Sequence, residues 1–247
     1  MGFLSILKGA FAELFRNPIL FLPKMISVTI WLLPYLYLLQ QAKFDMASAT
    51  LSQGTLLATG AILLMSPLWV VIDSMYPVLV EQQRRKKRLD FRKALDHVLG
   101  RFVKIFGLFL IVLVGSTLLT LPFIALVAYG MVFLDVCLAA VGMAGIAAVI
   151  IAGGIALYFT PTSLILERIG IMDSFGTGLK MAQQNFGLVF WLTLASFFFL
   201  ALAFLLEDSF GQLGVIGFVL GRYAGGIITV YTYVVNPTAY IDVRKRR

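Results

Sequence analysis

The chain has 247 residues, 60% of them hydrophobic and only 13% charged, with a mean hydropathy of +0.95. A soluble globule carries about 25% charged residues, so this composition argues against a water-soluble domain and for an all-α, polytopic membrane protein. One cysteine, Cys137, leaves no intrachain disulfide, and one histidine, His97, leaves no histidine cluster for a metal.

The formal charge of +8 is read as topology rather than nucleic-acid binding, because basic residues gather in the short loops on one side of a membrane. The first segment, Met1 to Asn17, has a single positive charge before a modest apolar run and no small-residue cleavage site, so it is not read as a signal peptide. Gly2 suggests myristoylation, but Ile6 stands where Ser or Thr is expected. Phe3, Ile6, Leu7, Ala10, Phe11, Leu14 and Phe15 recur at helical spacing, with Lys8, Glu13 and Arg16 between them. That pattern predicts an amphipathic helix lying flat in the membrane interface. Asn17-Pro18 ends it and turns the chain into the bilayer.

The first span is predicted over 19–39, with Pro34 expected to kink or break it. A polar loop over 40–53 carries Lys43 and Asp45, and the second span, 54–76, contains Pro67 and Asp73. The basic stretch 82–104 follows, opening with Arg84, Arg85, Lys86, Lys87 and Arg88. Those five residues are read as a topology anchor meeting anionic headgroups, with a docking site for a cytoplasmic partner as the other reading. RNA binding is not supported, since no aromatic platform is interleaved with them.

The third span covers 105–129. A tight connection, 130–135, leads to a fourth ending near residue 159. Gly142, Gly145, Ala148, Ala152, Gly153 and Ala156 give the fourth span a small-residue stripe, which predicts a closely packed interior helix. A charged connection over 160–186 precedes the fifth span, 187–206. Glu207-Asp208-Ser209 reads as an acidic turn, 213–235 as the sixth span and 236–247 as a basic tail.

Orientation follows from counting. Three cations (Lys8, Arg16, Lys24), nine between Arg84 and Lys104, Arg168 with Lys180, and the four of 244–247 share one side. Only Lys43 lies opposite, and Arg222 lies within a span. The positive-inside rule then predicts an even number of spans in the cell (inner) membrane, with both termini cytoplasmic.

An offset of 84 places Phe91 on Phe175, Leu95 on Leu179, Phe102 on Phe186 and Phe106 on Phe190. The chain thus reads as a single membrane domain, 1–247, of three pseudo-repeats, 1–80, 81–160 and 161–235. Each is an interfacial helix followed by a helical hairpin, giving six transmembrane helices and three interfacial ones. Each hairpin returns through a proline and then an acid: Pro77 to Glu81, Pro161 to Glu167, Pro237 to Asp242. The competing reading is chance similarity among Phe- and Leu-rich segments.

Arg222, in GRYAGG, breaks the apolar pattern of the sixth span. A charge near mid-bilayer is costly unless paired or wetted. Gly214, Gly217, Gly221 and Gly225 mark a close-packing face on the same helix, with Gly226 one turn beyond Arg222. In one reading Arg222, Gly221, Gly225, Gly226 and Asp73 form an interior site for an anion such as a phosphate or headgroup. In the other, Arg222 pairs with Asp73 or snorkels toward Glu207 and Asp208. Asp73 is itself read either as a proton or cation relay or as the structural partner of a nearby cation.

No catalytic constellation emerges. HExxH, GxSxG, a Walker A loop and a placeable carboxylate pair are all missing from the sequence. No cofactor or catalytic residue is assigned, and no metal. His97 reads as a surface residue of an amphipathic helix.

Two motifs carry a family resemblance: F-x-x-I-L-K-x-A-F-x-x-L-F-x-N-P over Phe3 to Pro18, and S-F-x-x-G-L-K-x-x-x-x-N-F over Ser174 to Phe186. The chain resembles the six-span prokaryotic membrane proteins that include the YciC-like proteins and the membrane domain of some glycerophosphodiester phosphodiesterases. That resemblance implies a fold and, without the soluble phosphodiesterase domain, no catalytic residue. Lys8-Gly9 and Asn17-Pro18 are also similar to the opening of CysZ-like sulfate permeases, which would imply anion transport. Two functional classes result. One is a non-catalytic component of membrane or envelope homeostasis that contacts lipid and assembles with a membrane partner or itself. The other is a small permease or channel for an anion or small solute, using the interior site near Arg222.

Overall fold

The computed structural model describes residues 2–41, 53–86 and 88–245. Residues 42–52 of the loop read over 40–53, with Lys43 and Asp45, lie outside the described residues, as do Lys87, Arg246 and Arg247. Among the described residues every regular element is a helix. In order these are α1 (Phe3–Arg16), a 3-10 turn (Pro18–Phe21), α2 (Leu22–Gln41), α3 (Gln53–Asp73), α4 (Tyr76–Arg84) and α5 (Phe91–Leu99). Then come α6 (Phe102–Val132), α7 (Val136–Ala156), α8 (Thr160–Leu166), α9 (Ile171–Gln184), α10 (Phe186–Gly211) and α11 (Gly214–Arg244).

Among the described residues, five stretches are long and apolar enough to span a bilayer: Leu64–Arg84, Phe102–Val132, Val136–Leu166, Phe186–Gly211 and Gly214–Arg244. A sixth is counted if α1 and Pro18–Pro34, bent by 99° at Asn17, are taken together. At about 1.5 Å per residue, the 31 residues of α6 reach beyond the roughly 30 Å of a hydrocarbon core. The protein is an all-α, polytopic membrane protein.

The chain packs as two compact units, residues 1–102 with 195–247 and residues 103–194. Within each, burial concentrates on short segments that contain a proline. In the first unit these are Tyr76 to Val80 of α4 and Val234 to Val243 of α11, where only Asn236 and Asp242 are not buried. In the second, Thr160 and Thr162 to Ile165 of α8 are buried. Pro161-Thr162-Ser163-Leu164-Ile165 and Pro237-Thr238-Ala239-Tyr240-Ile241 are near copies of one another.

Each proline segment receives an amphipathic helix. α1 packs on α11, α5 on α4, and α9 on α8. The amphipathic helices present Ile6, Ala10 and Leu14, then Ala94 and Val98, then Ser174, Gly178 and Ala182 as their buried faces. These rows run at four-residue spacing, and a small residue in each, Ala10, Ala94 and Gly178, recurs every 84 positions. At Gly178 the need is steric: an added Cβ would lie 2.8 Å from the backbone nitrogen of Thr160. The S-F-x-x-G-L-K motif is therefore a packing surface. Ser163 also donates to the Ser174 carbonyl across it, at 3.3 Å.

Several expectations are corrected. The apolar side of α1 is not one interfacial face, since Ile6, Ala10 and Leu14 are buried in the unit while Leu4, Phe11 and Phe15 stay exposed. Pro34, Pro67, Pro122 and Pro237 all lie inside continuous helices, so Pro237 does not stop the last span. Proline removes one donor and crowds the preceding turn, yet here neighbouring turns carry the helix through. Glu207, Asp208 and Ser209 belong to α10 rather than to a turn. The small-residue helix α7 is not interior either: only 6% of its most apolar window is buried. Of its stripe, Gly142 and Gly145 do meet α6, where an added Cβ would fall 2.8 Å from the Val127 nitrogen and 2.1 Å from the Phe123 ring. Gly153 meets nothing within 4 Å, because two glycines near one end suffice to bring the hairpin together.

Candidate functional site

A cleft of about 270 Å³ opens in the first unit between α2, α3, α10 and α11. Helical periodicity explains its lining. Lys24, Ser27, Val28 and Trp31 are one face of α2, at i, i+3, i+4 and i+7. Leu200, Ala203, Phe204 and Glu207 are the same pattern on α10, and Trp69 with Asp73 sit one turn apart on α3. Along α11 the face runs Arg222, Gly226, Thr229, Tyr233. The walls are mostly apolar, with four charges set into them.

Those charges form two pairs. Lys24 Nζ donates to Asp73 Oδ2 at 2.9 Å and to the Tyr233 hydroxyl at 3.3 Å. Arg222 Nη1 donates to Glu207 Oε2 at 2.8 Å. All four side chains are shielded, Asp73 most of all at 8% exposed and Arg222 least at 22%. Each cation also lies over an aromatic ring, Lys24 4.4 Å from the Tyr233 centroid and Arg222 4.8 Å from that of Trp31. Such contacts gain about 2 kcal/mol where water is excluded. Glu207 lies within electrostatic reach of both cations, so the cleft is one charge-balanced cluster.

The glycines of α11 make the second pair possible. A Cβ on Gly217 would fall 2.0 Å from the Phe210 carbonyl oxygen, one on Gly221 3.1 Å from Glu207 Cα, and one on Gly225 2.7 Å from Glu207 Oε1. The absence of side chains at this four-residue spacing lets α10 approach until the Glu207 carboxylate lies over Gly225 and reaches Arg222. Gly226 does the same toward α2, with Val28 2.8 Å from its virtual Cβ. Gly221 and Gly225 thus hold α11 against α10, and Gly226 holds it against α2 while also lining the cleft. Gly214 has open space around it and a left-handed φ of +82°. It serves the turn between α10 and α11, not helix packing.

A second polar cluster lies at the other end of α11. Arg84 of α4 donates through Nε to Glu13 Oε1 of α1 at 2.7 Å, and through Nη1 to Asp242 Oδ1 of α11. Thr238 donates to the remaining Glu13 oxygen at 2.9 Å, and Gln83 donates to the Glu13 main-chain carbonyl, also at 2.9 Å. The three charged side chains are between 10% and 16% exposed. Arg84 is therefore an internal tie between three helices, correcting its reading as a lipid contact. Arg85 is exposed and pairs along its own helix with Glu81, while Lys86 and Arg88 are exposed. Lys86 and Arg168 both take left-handed φ, 55° and 58°, as α4 and α8 end.

Asp73 and Arg222 line the same cleft but do not pair with each other: Arg222 takes Glu207, the other partner expected for it, and Asp73 takes a nearby cation, Lys24. Sequence reasoning missed Lys24 as a site residue by treating it only as a topology charge. The signal was available: Lys24 opens the first hairpin and Asp73 closes it, so antiparallel packing sets them at the same depth. Trp31, Trp69 and Tyr233 gave no signal, because aromatic residues are common along spans. Among the described residues, no group of three His, Cys, Asp or Glu side chains is placed to hold a metal. No protein-family model matches the chain, and neither a curated protein nor a solved structure does.

Proposed function

We propose that the protein is a non-catalytic, multi-pass component of the cell membrane whose first unit engages lipid through its charge-balanced cleft. The observation that carries this reading is that each cation lining the cleft has its own carboxylate, at 2.8 Å and 2.9 Å. An anion permease built on Arg222 needs a guanidinium open to the permeant ion. Glu207 occupies that position, and displacing it would leave a carboxylate uncompensated in a low-dielectric setting, which costs several kcal/mol. The charge count supports an orientation with both termini cytoplasmic, and exposed Arg85, Lys86 and Arg88 are then suited to anionic headgroups on that side.

The test is anion flux in vesicles reconstituted with the purified protein. Sulfate, phosphate and chloride uptake is expected to match protein-free vesicles. Protein-dependent uptake of any of the three that disappears in Arg222→Met would replace the lipid reading with the permease one.

A further inference from the structure

The Lys24–Asp73 pair of the cleft leaves one of its oxygens unfilled. Asp73 gives Oδ2 to Lys24, but Oδ1, buried with the rest of a side chain only 8% exposed, makes no hydrogen bond among the described residues. A carboxylate oxygen shielded from water and left without a donor is costly. Lys24 carries three N–H donors, and its contacts among the described residues are two, to Asp73 and to Tyr233. One buried pair thus presents an unfilled acceptor on its acid and a further donor on its base, side by side in the wall of a cleft.

We propose that Lys24 and Asp73 recognise an ammonium–phosphate zwitterion, the chemistry of an ethanolamine phospholipid headgroup. The ligand's ammonium donates to Asp73 Oδ1, and its phosphate oxygen accepts from Lys24. Charge balance selects this class. The cleft is neutral as built, so a lone anion or cation would add uncompensated charge, whereas a zwitterion adds none. Hydrogen bonding then selects the primary amine. A trimethylammonium group has no N–H for Oδ1, and two of the ring faces it would use instead are taken, Tyr233 by Lys24 and Trp31 by Arg222. The apolar remainder of the lining, from Val28, Leu200 and Phe204, is suited to the adjoining glycerol and acyl carbons. The inference rests on the lipid-binding reading of the cleft, and the two fail separately: anion flux would overturn that reading, while the headgroup preference below is a binding measurement.

The experiment is a calorimetric titration of the full-length protein in detergent. The probes are dihexanoyl phosphatidylethanolamine, the corresponding choline and glycerol lipids, and free phosphoethanolamine. The ethanolamine lipid is expected to bind at least tenfold more tightly than the choline lipid, with no measurable binding of the glycerol lipid. Phosphoethanolamine binding more weakly than the diacyl form assigns the site to lipid. Equal affinity assigns the same chemistry to a soluble zwitterion. Because Asp73→Asn alone strands Lys24, the variant used is Lys24→Met/Asp73→Leu, which removes both charges together, a change that buried pairs tolerate. It is expected to keep the wild-type melting temperature within a few degrees and to lose the ethanolamine preference. A choline or glycerol lipid binding as tightly as the ethanolamine lipid would overturn the proposal. So would a folded double variant that keeps the preference.

Discussion

Replacing Arg84 with methionine separates a structural cation from a topological one. Methionine preserves the apolar stem and removes the guanidinium, leaving Glu13 at 15% and Asp242 at 10% exposure without their shared cation. Breaking a buried pair by deleting one partner costs about 3–5 kcal/mol. Here two carboxylates are stranded, so the upper part of that range applies. Arg85→Met, one residue away, removes a cation that is 63% exposed and paired only along its own helix. Such a surface pair contributes about 0.3–0.5 kcal/mol. Both variants lower the positive charge of the loop by one, so any effect on membrane orientation is shared. The assay is thermal unfolding in detergent together with limited proteolysis of the N-terminal helix. Arg84→Met should melt well below Arg85→Met and release α1 to protease. The triple variant Glu13→Leu/Arg84→Met/Asp242→Leu should recover most of the loss, since no buried charge then lacks a partner. Equal stability of the two single variants would refute the hub, and with it the claim that α1, α4 and α11 are tied through Arg84.

Four further outcomes are expected. Gly145→Val places carbon within the Phe123 ring, 2.1 Å from the nearest atom, and should destabilise by about 1–3 kcal/mol through overpacking, while Gly153→Ala, in open space, should be neutral or stabilise by up to about 1 kcal/mol; parallel melting curves check both. Arg168→Gly relieves a left-handed φ of 58° at an exposed position and should raise stability by about 1 kcal/mol, seen as a higher melting temperature. Asp90 accepts from the Lys93 N–H at 3.0 Å as the N-cap of α5, and that bond holds its carboxyl below the ordinary range. A lowered folded-state value means the cap's contribution is complete above the unfolded value and is lost as pH falls through the folded one, so protection of the α5 amides should weaken on acidification in wild type but stay level in Asp90→Asn; parallel profiles would contradict this. Finally, in a Cys137→Ser background, Lys86→Cys in intact cells should resist a membrane-impermeant maleimide, and external labelling there would invert the orientation.

The class of the protein and the order of its helices were legible because hydropathy and periodicity report directly on membrane helices. The offset of 84 that sets Phe91 on Phe175 also sets α5 on α9. Its physical content, however, lay in Ala10, Ala94 and Gly178, small residues that composition makes inconspicuous. What the small-residue stripe of α7 could not reveal is how much of a helix its neighbours cover. A glycine permits close approach without requiring it, so Gly142 and Gly145 pack while Gly153 does not. Arg222 was legible as an anomaly, since a charge in a span has to be explained. Glu207 was among its expected partners, but as part of a turn rather than of a helix. Only the reach of α10 to Gly211 and the Gly217-Gly221-Gly225 face bring that carboxylate into the bundle. Arg84 was misread for a related reason: in a run of five basic residues, sequence gives no hint which one points inward.

The distribution of charge between the two units argues for a division of labour. Both units use the same device, a proline segment covered by an amphipathic helix, so neither needs ion pairs to build that contact. In the second unit, Lys104, Asp135, Arg168, Asp173 and Lys180 are exposed and Glu167 is partly so, and the groups buried there, Thr160, Thr162, Ser163, Ser174 and Thr193, are hydroxyls. The first unit instead shields Lys24, Asp73, Glu207 and Arg222 around a cleft, and Glu13, Arg84 and Asp242 beside it. Buried pairs add little net stability over apolar residues of the same volume, so the packing that serves the second unit would have served the first. The charges of the hub fix which helices meet. Those of the cleft tie α2 to α3 and α10 to α11, and one of them, Asp73, retains an unfilled acceptor. A cluster that structure alone does not require, in the unit where polar burial is concentrated, is where a ligand of matching charge is to be sought.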